Sequence, residues 1–337
     1  MHVVVIQEPV IQPDITQEEL TARWETLKSF PEVESLVIDR RPAYPSYREI
    51  CELSKDADAL FGVWIDDSLI QKEFVSSHQK LRYIATLGHG WGSFDVPMTQ
   101  KAGLTITNTV YGTQTIAEYA FALLMEVCHH VSVQDARIHS IDWTNPGNAD
   151  EFCRAVVPQV ELYGKTLGIL GLGQIGTAMA HMAMGFGMHV LGYSRHPKEG
   201  AAYEGIEQTT DLDTLLKRSD VISLHVPHTK STEHLIDENA IKKMKDGVIL
   251  INTARGALID EQALADALND GKVAAAGLDV LTEEPPVHGS PLLSAKNCTI
   301  TGHIAWLTRQ SRLRAIDMAI ENFRHYLDGK PCSRING

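Results

Sequence analysis

Toward the end of this 337-residue sequence, three polar residues follow three successive strand-like runs. Arg255 follows Val248–Ala254 (VILINTA), Glu284 comes shortly after Val273–Val280 (VAAAGLDV), and His303 follows Cys298–Thr301 (CTIT). In an open parallel sheet, ligands bind outside the carboxyl ends of the strands. The three side chains are therefore expected in one cleft, although they lie far apart in the chain. A guanidinium can pair with a substrate carboxylate through a planar two-pronged fork. An imidazole can give or take a proton near neutral pH, and a carboxylate beside it favours its charged form. Any one of them could be ordinary: an interdomain ion pair, a solvated acid, a hinge residue. Three together at strand ends point to proton transfer on a substrate that carries a carboxylate.

The elements that would hold them alternate strand and helix, the pattern of parallel α/β architecture. In the first part, Val3–Ile6, Ser35–Ile38, Ala59–Val63 and Tyr83–Ala85 read as short strands, separated by helical stretches such as Gln17–Ser29 and Pro45–Ser54. A stronger helix is expected from Thr115, where Thr115 and Glu118 have capping-box spacing. Ala117, Ala120, Phe121, Leu124 and Cys128 then recur on one face. Asp142–Ala155, with Asn145–Pro146–Gly147 inside it, reads as a long loop that joins subunits or domains. From Lys165 strands recur at Leu167–Leu170, Met188–Tyr193, Val221–Val226, Val248–Ala254, Val273–Val280 and Cys298–Thr301. Six parallel strands with crossover helices make a doubly wound dinucleotide-binding sheet.

Gly171–Leu–Gly173–Gln174–Ile175–Gly176 sits between the first of these strands and a helix, the context in which GxGxxG means something. The first glycine makes the tight turn, the second lets backbone approach a pyrophosphate, and the third lets helix pack on strand. The next strand ends at Ser194–Arg195, where NAD enzymes usually place an acid for the ribose 2′-hydroxyl. A hydroxyl and a guanidinium accommodate a 2′-phosphate that a carboxylate would repel. NADP(H) is therefore the expected preference. If Arg195 is only a solvated loop residue, NAD(H) is used without a carboxylate clamp.

A formal charge of −13 argues against nucleic acid or an anionic membrane as the main partner. It leaves room for a small anionic substrate. A hydrophobic content of 44% without a membrane-length run is that of a soluble globular protein, and the start MHVVVIQEPV reads as a first strand rather than a signal peptide. Five scattered cysteines without CxxC spacing suggest reduced thiols in a cytosolic protein. The fifteen histidines form no converging ligand set, so no metal site is expected.

Five segments, taken in order, resemble the signatures of the D-isomer-specific 2-hydroxyacid dehydrogenases: Glu161–Gly176, Ser219–Thr232, Met244–Leu268, Gly277–Pro286 and Gly302–Trp306. Asn108–Val131 and the Trp after His303 are most similar to the glycerate dehydrogenase/hydroxypyruvate reductase branch. The resemblance implies a Rossmann cofactor domain, 108–303, inserted in a flavodoxin-like substrate domain, 1–107 plus 304–337, with hinges near Asn108 and His303 and a homodimer formed through the cofactor domain. It implies His303 as general acid/base, Glu284 as the carboxylate bonded to its imidazole, and Arg255 on the substrate carboxylate and carbonyl. Glu283 is the rival if the register slips. Asp279 corresponds to the residue near the nicotinamide carboxamide, while Val226, Pro227, Thr232 and Thr253 are further cofactor contacts. Gly88, His89 and Gly90 belong to the loop whose amides receive the substrate carboxylate. Trp64 and Trp306 are candidate pocket walls, though Trp is also a frequent core residue.

The sequence departs from the family pattern in two places. Gly302 stands where the family has proline before its histidine, which removes proline's fixed φ. His89 and Trp91 stand in the substrate loop where close relatives have smaller or different residues, which makes a bulkier, partly basic wall and leaves the identity of the acid the least determined point. The resulting expectation is an NADP(H)-preferring reductase of small 2-keto acids, hydroxypyruvate and glyoxylate first. Two alternatives stay open: an NAD-dependent dehydrogenase of D-lactate or a bulkier D-2-hydroxy acid, and a dinucleotide-sensing interaction protein similar to transcriptional corepressors.

Overall fold

Successive side chains of a strand point to opposite faces, and the first strand uses both. In His2–Ile6 (β1), Val3 and Val5 pack into one hydrophobic cluster, Val4 and Ile6 into another. A strand apolar on both sides must be covered on both sides, as parallel sheets are. The computed structural model describes residues 1–7, 14–41, 43–63, 65, 68–88 and 95–337. They divide into two units, Met1–Gly112 with Trp306–Gly337, and Thr113–Ala305.

The first unit holds a five-stranded parallel sheet of β1, Ser35–Asp39 (β2), Ala59–Gly62 (β3), Tyr83–Thr86 (β4) and Thr105–Thr107 (β5), in the order β2-β1-β3-β4-β5. This is the flavodoxin-like order. Phe61 and Tyr83 face the C-terminal helix Arg309–Leu327, whose Phe323 ring lies 5.2 Å and 4.9 Å from theirs. An open sheet edge invites further pairing, and here the chain terminus takes the β5 edge. Thr107 bridges Arg334, and buried Asn336 accepts the Ile106 amide at 3.0 Å and donates to the Leu104 carbonyl at 2.8 Å.

The second unit has seven parallel strands: Thr166–Leu170 (β6), His189–Tyr193 (β7), Glu207–Thr209 (β8), Val221–Leu224 (β9), Val248–Asn252 (β10), Val273–Leu278 (β11) and Cys298–Ile300 (β12). Their order is β12-β11-β10-β9-β6-β7-β8, which reverses between β6 and β9. Leu167 and Ile169 pack with the helices Thr113–His129 and Gln174–Gly185 on one face; Ile222, Leu224 and Leu250 pack on the other. Among the described residues no single helix is long and apolar enough to cross a membrane.

Three expectations need correction. The sheet has seven strands rather than six, because β8 (EQT) is a three-residue edge strand without an apolar run. β5 was missed as well, being three residues with threonine at both ends. The helix expected to be capped by Thr115 starts at Thr113, so Thr115 is a buried residue of its first turn, and Glu118 instead accepts from Gln114 at 3.1 Å. Ala117, Ala120, Phe121, Leu124 and Cys128 are all buried, as their spacing requires.

Candidate active site

The reversal of strand order at β6/β9 is the topological switch point where such sheets bind ligands, and the glycine loop sits on it. Gly171 has φ +104°, and a Cβ there would lie 2.7 Å from the His225 carbonyl oxygen and 2.8 Å from a Val226 methyl. A Cβ on Gly176 would lie 2.1 Å from the Gly171 carbonyl oxygen, so only glycine lets the helix Gln174–Gly185 start this close to the strand. Gly173 differs, with nothing among the described residues within 4 Å of its missing Cβ. It caps the helix without a side-chain bond, leaving amides of the first turn for an anion. Gln174 accepts from the Thr113 hydroxyl at 3.0 Å, and Ile175 packs against the core below.

The rest of the rim divides into groups already engaged and groups still open. The Thr232 hydroxyl donates to the Pro227 carbonyl and accepts the Thr229 amide, both at 2.8 Å, so it holds its own loop together. Thr253 Oγ1 is buried with no hydrogen-bond partner among the described residues, which marks a place for a ligand atom. The Ser194 hydroxyl turns back to the His196 carbonyl at 2.6 Å, while exposed Arg195 has no ion-pair partner among the described residues. The open ground above Gly173, the orphaned Thr253 hydroxyl and the uncommitted Arg195 fit a dinucleotide.

Arg255 leaves β10 through a turn made by Asn252. The Asn252 Oδ1 accepts the Ala254 amide and its Nδ2 donates to the Arg255 carbonyl, both at 2.9 Å. This is an Asx-type turn. The next residue, Gly256, packs on the loop after β11: a Cβ there would lie 1.9 Å from the Leu281 carbonyl carbon. That approach sets the Arg255 segment beside the loop that carries Glu284. The guanidinium of Arg255 is exposed and donates to the Ala254 carbonyl at 2.6 Å.

Glu284 Oε1 accepts the Leu281 amide at 2.9 Å, and its Oε2 lies 2.6 Å from His303 Nδ1. Partial burial raises the Glu284 pKa, but the bond and charge of His303, the Leu281 amide and the charge of Arg255 outweigh it, holding the carboxyl below its ordinary 4.5. Glu283, the rival in register, instead binds His288 Nδ1 at 2.6 Å. His303 adopts φ +57°, a left-handed conformation uncommon for a non-glycine residue.

Asp279 follows β11 and is 1% exposed. Its carboxylate is turned to the segment around His303, accepting the Thr301 hydroxyl and the amides of Ile304 and Ala305. Nothing in its sequence position announced this, and Asn252, Gly256 and Thr301 were likewise not singled out. In the other unit, Gly88 follows β4, and Trp306 lines a cavity with Tyr111, Trp24 and Arg312. His89, Gly90, Trp64 and Trp91 lie outside the described residues.

Residues 121–305 match the model of the D-isomer specific 2-hydroxyacid dehydrogenase NAD binding domain. Over 315 residues the chain is 38% identical to a hydroxypyruvate reductase of Blautia hydrogenotrophica, covering 93% of this chain and 94% of that one. It is 37% identical over 305 residues to a glyoxylate reductase of Thermococcus litoralis, with 90% of each chain covered. A glyoxylate reductase from Paecilomyes thermophila superposes with a TM-score of 0.82 at 29% identity, covering 99% of this chain and 98% of that one. An acyclic imino acid reductase (Bsp5) in complex with NADPH and D-Arg gives 0.81 at 28%, covering 99% and 100%. The switch-point loop, the three strand-end residues and these likenesses agree: the chain belongs to the D-isomer-specific 2-hydroxyacid dehydrogenase family, nicotinamide-dinucleotide-dependent oxidoreductases.

Proposed function

We propose that this protein reduces small 2-keto acids of the hydroxypyruvate and glyoxylate class to D-2-hydroxy acids, with NADPH preferred over NADH. The observation that carries the reading is the 2.6 Å contact between His303 Nδ1 and Glu284 Oε2 beside Arg255. The bound nicotinamide supplies a hydride. Arg255 binds the substrate carboxylate and polarises the carbonyl, stabilising the charge that gathers on its oxygen. Glu284 holds Nδ1 of His303, so the proton reaches that oxygen from Nε2. In the reverse direction the same nitrogen takes the proton back.

The cofactor would lie over Gly171–Gly176, its phosphates on the amides that start the helix at Gln174. The case for NADPH rests on Ser194 and Arg195, since no carboxylate occupies that strand end. We also infer a homodimer formed through the cofactor domain; exposed Val131, Val133, Trp143 and Phe152 support it.

The test is nicotinamide absorbance, with NADPH and NADH each offered hydroxypyruvate, glyoxylate, pyruvate and phenylpyruvate. The expected result is turnover of hydroxypyruvate or glyoxylate with higher kcat/KM for NADPH, and a loss of that preference in Arg195→Ala. Equal or better efficiency with NADH would overturn the cofactor assignment. Exclusive turnover of phenylpyruvate would overturn the substrate class.

A further inference from the structure

His303 stands in a conformation that its sequence does not explain. A histidine at φ +57° is strained, and the residue before it is glycine, which restrains nothing. Such a conformation persists where the surroundings over-determine it. Four of the contacts that do so come from one residue. Asp279 accepts the His303 amide on its backbone carbonyl at 2.7 Å. Its Oδ1 accepts the Thr301 hydroxyl at 2.6 Å and the Ile304 amide at 2.9 Å, and its Oδ2 accepts the Ala305 amide at 2.8 Å. Two consecutive amides, 304 and 305, therefore converge on one carboxylate, while the amide of 303 goes to the backbone carbonyl of the same residue. Asp279 is itself fixed from behind, its amide donating to the Asn252 carbonyl at 2.9 Å. The same Asn252 shapes the turn that presents Arg255.

Asp279 is buried, and no cation pairs with it among the described residues. A buried carboxylate without a cation is costly unless hydrogen bonds satisfy it. These donors satisfy it only while residues 301–305 keep this path. The carboxylate and the strained segment thus stabilise each other.

We propose that Asp279 is the positioning residue of His303: it clamps the Thr301–Ala305 segment so that the imidazole meets Glu284, doing at Gly302 what a proline would do by fixing φ. This rests on His303 being the proton donor. It also differs from a role on the nicotinamide carboxamide, since two of the carboxylate's bonds run to the protein's own backbone and a third to the Thr301 hydroxyl. Gly302 is open to the corresponding exchange. Among the described residues a Cβ there meets nothing within 4 Å, and its amide makes no backbone hydrogen bond.

The test compares Asp279→Asn, Thr301→Val and His303→Ala with the unaltered protein, alone and with Gly302→Pro added to Asp279→Asn. Asparagine keeps the size but offers one acceptor oxygen instead of two. Positioning predicts a fall in kcat of roughly 10²-fold for Asp279→Asn and about 5-fold for Thr301→Val, with the Kd for NADPH within about 2-fold. Gly302→Pro should recover at least about tenfold of the first loss, by restoring a fixed φ next to the histidine. In the nucleotide-free protein, the low-field proton resonance of the His303–Glu284 bond, assigned by its absence in His303→Ala, should broaden or vanish in Asp279→Asn while melting stays cooperative. A loss seen in Kd with kcat intact, and absent when the cofactor carries an acetyl group in place of the carboxamide, would overturn the proposal in favour of a nucleotide contact. An unchanged kcat would also overturn it. If His303→Ala keeps turnover, the reading of His303 fails instead; if it is inactive while Asp279→Asn is not, only the positioning fails.

Discussion

Gly256 and Leu281 come so close that a single methyl group would not fit between them: a Cβ on Gly256 would stand 1.9 Å from the carbonyl carbon of Leu281 and 2.2 Å from its oxygen. Both atoms are backbone, so no side chain can rotate away. The contact ties the Arg255 turn to the loop that ends in Glu284. Gly256→Ala is therefore expected to destabilise the protein by about 3 kcal/mol, the upper end of the usual cost of overpacking. It should also separate Arg255 from Glu284 and lower kcat/KM. Urea unfolding checks the first effect through a lower midpoint at unchanged slope, and steady-state kinetics checks the second. Near-normal values of both would show that the two loops move apart freely.

Two adjacent acids occupy different networks, and that difference is measurable. Glu284 binds His303, whereas Glu283 binds His288 on the surface. Glu284→Gln removes a charge-assisted hydrogen bond without changing volume, and kcat should fall by roughly 10²-fold, within the range carried by a positioned acid–base group. Glu283→Gln should leave kcat within about 2-fold. The reverse pattern would shift the register of the site by one residue.

Acid should destabilise the second unit in two stages. His225 keeps some accessible surface, yet its Nε2 is held 2.8 Å from the Ser223 hydroxyl and burial pushes its imidazole down to about 4 from 6.5. Between those values the unfolded chain binds the proton that the folded one refuses, so stability rises with pH and falls on acidification. Glu284, held below 4.5, contributes stability that is present above that pH and is lost as pH falls through its folded value. Thermal melts from about pH 7 to about pH 4 should show a steady decline of Tm, and His225→Gln should flatten the upper part of it. A wild-type Tm independent of pH over that window would contradict this.

The legible parts of the site were those set by local backbone geometry. Gly171, Gly173 and Gly176 could be read because a tight turn, an open approach and a helix–strand contact each demand glycine at a fixed spacing. Arg255, Glu284 and His303 could be placed because residues just past parallel strands share one edge of the sheet. What stayed hidden depends on partners distant in sequence. Asp279 reads as one more strand-end acid until residues 301–305 are folded onto it. The left-handed φ of His303 has no sequence signal, since left-handed backbone is usually announced by glycine. Thr115 and Glu118 had the right spacing for a cap but lie inside the first turn, because the helix begins at Thr113. Strand β8 was missed for lack of apolar residues, as an edge strand needs few.

The central claim is that His303 delivers the proton, and the most direct measurement is NADPH oxidation by His303→Ala with hydroxypyruvate, set beside NADPH binding by the same variant. Loss of a positioned acid should cost roughly 10³-fold or more in kcat while the Kd for NADPH stays within about 2-fold. A variant that binds NADPH normally and still turns over within about tenfold of wild type would contradict the account.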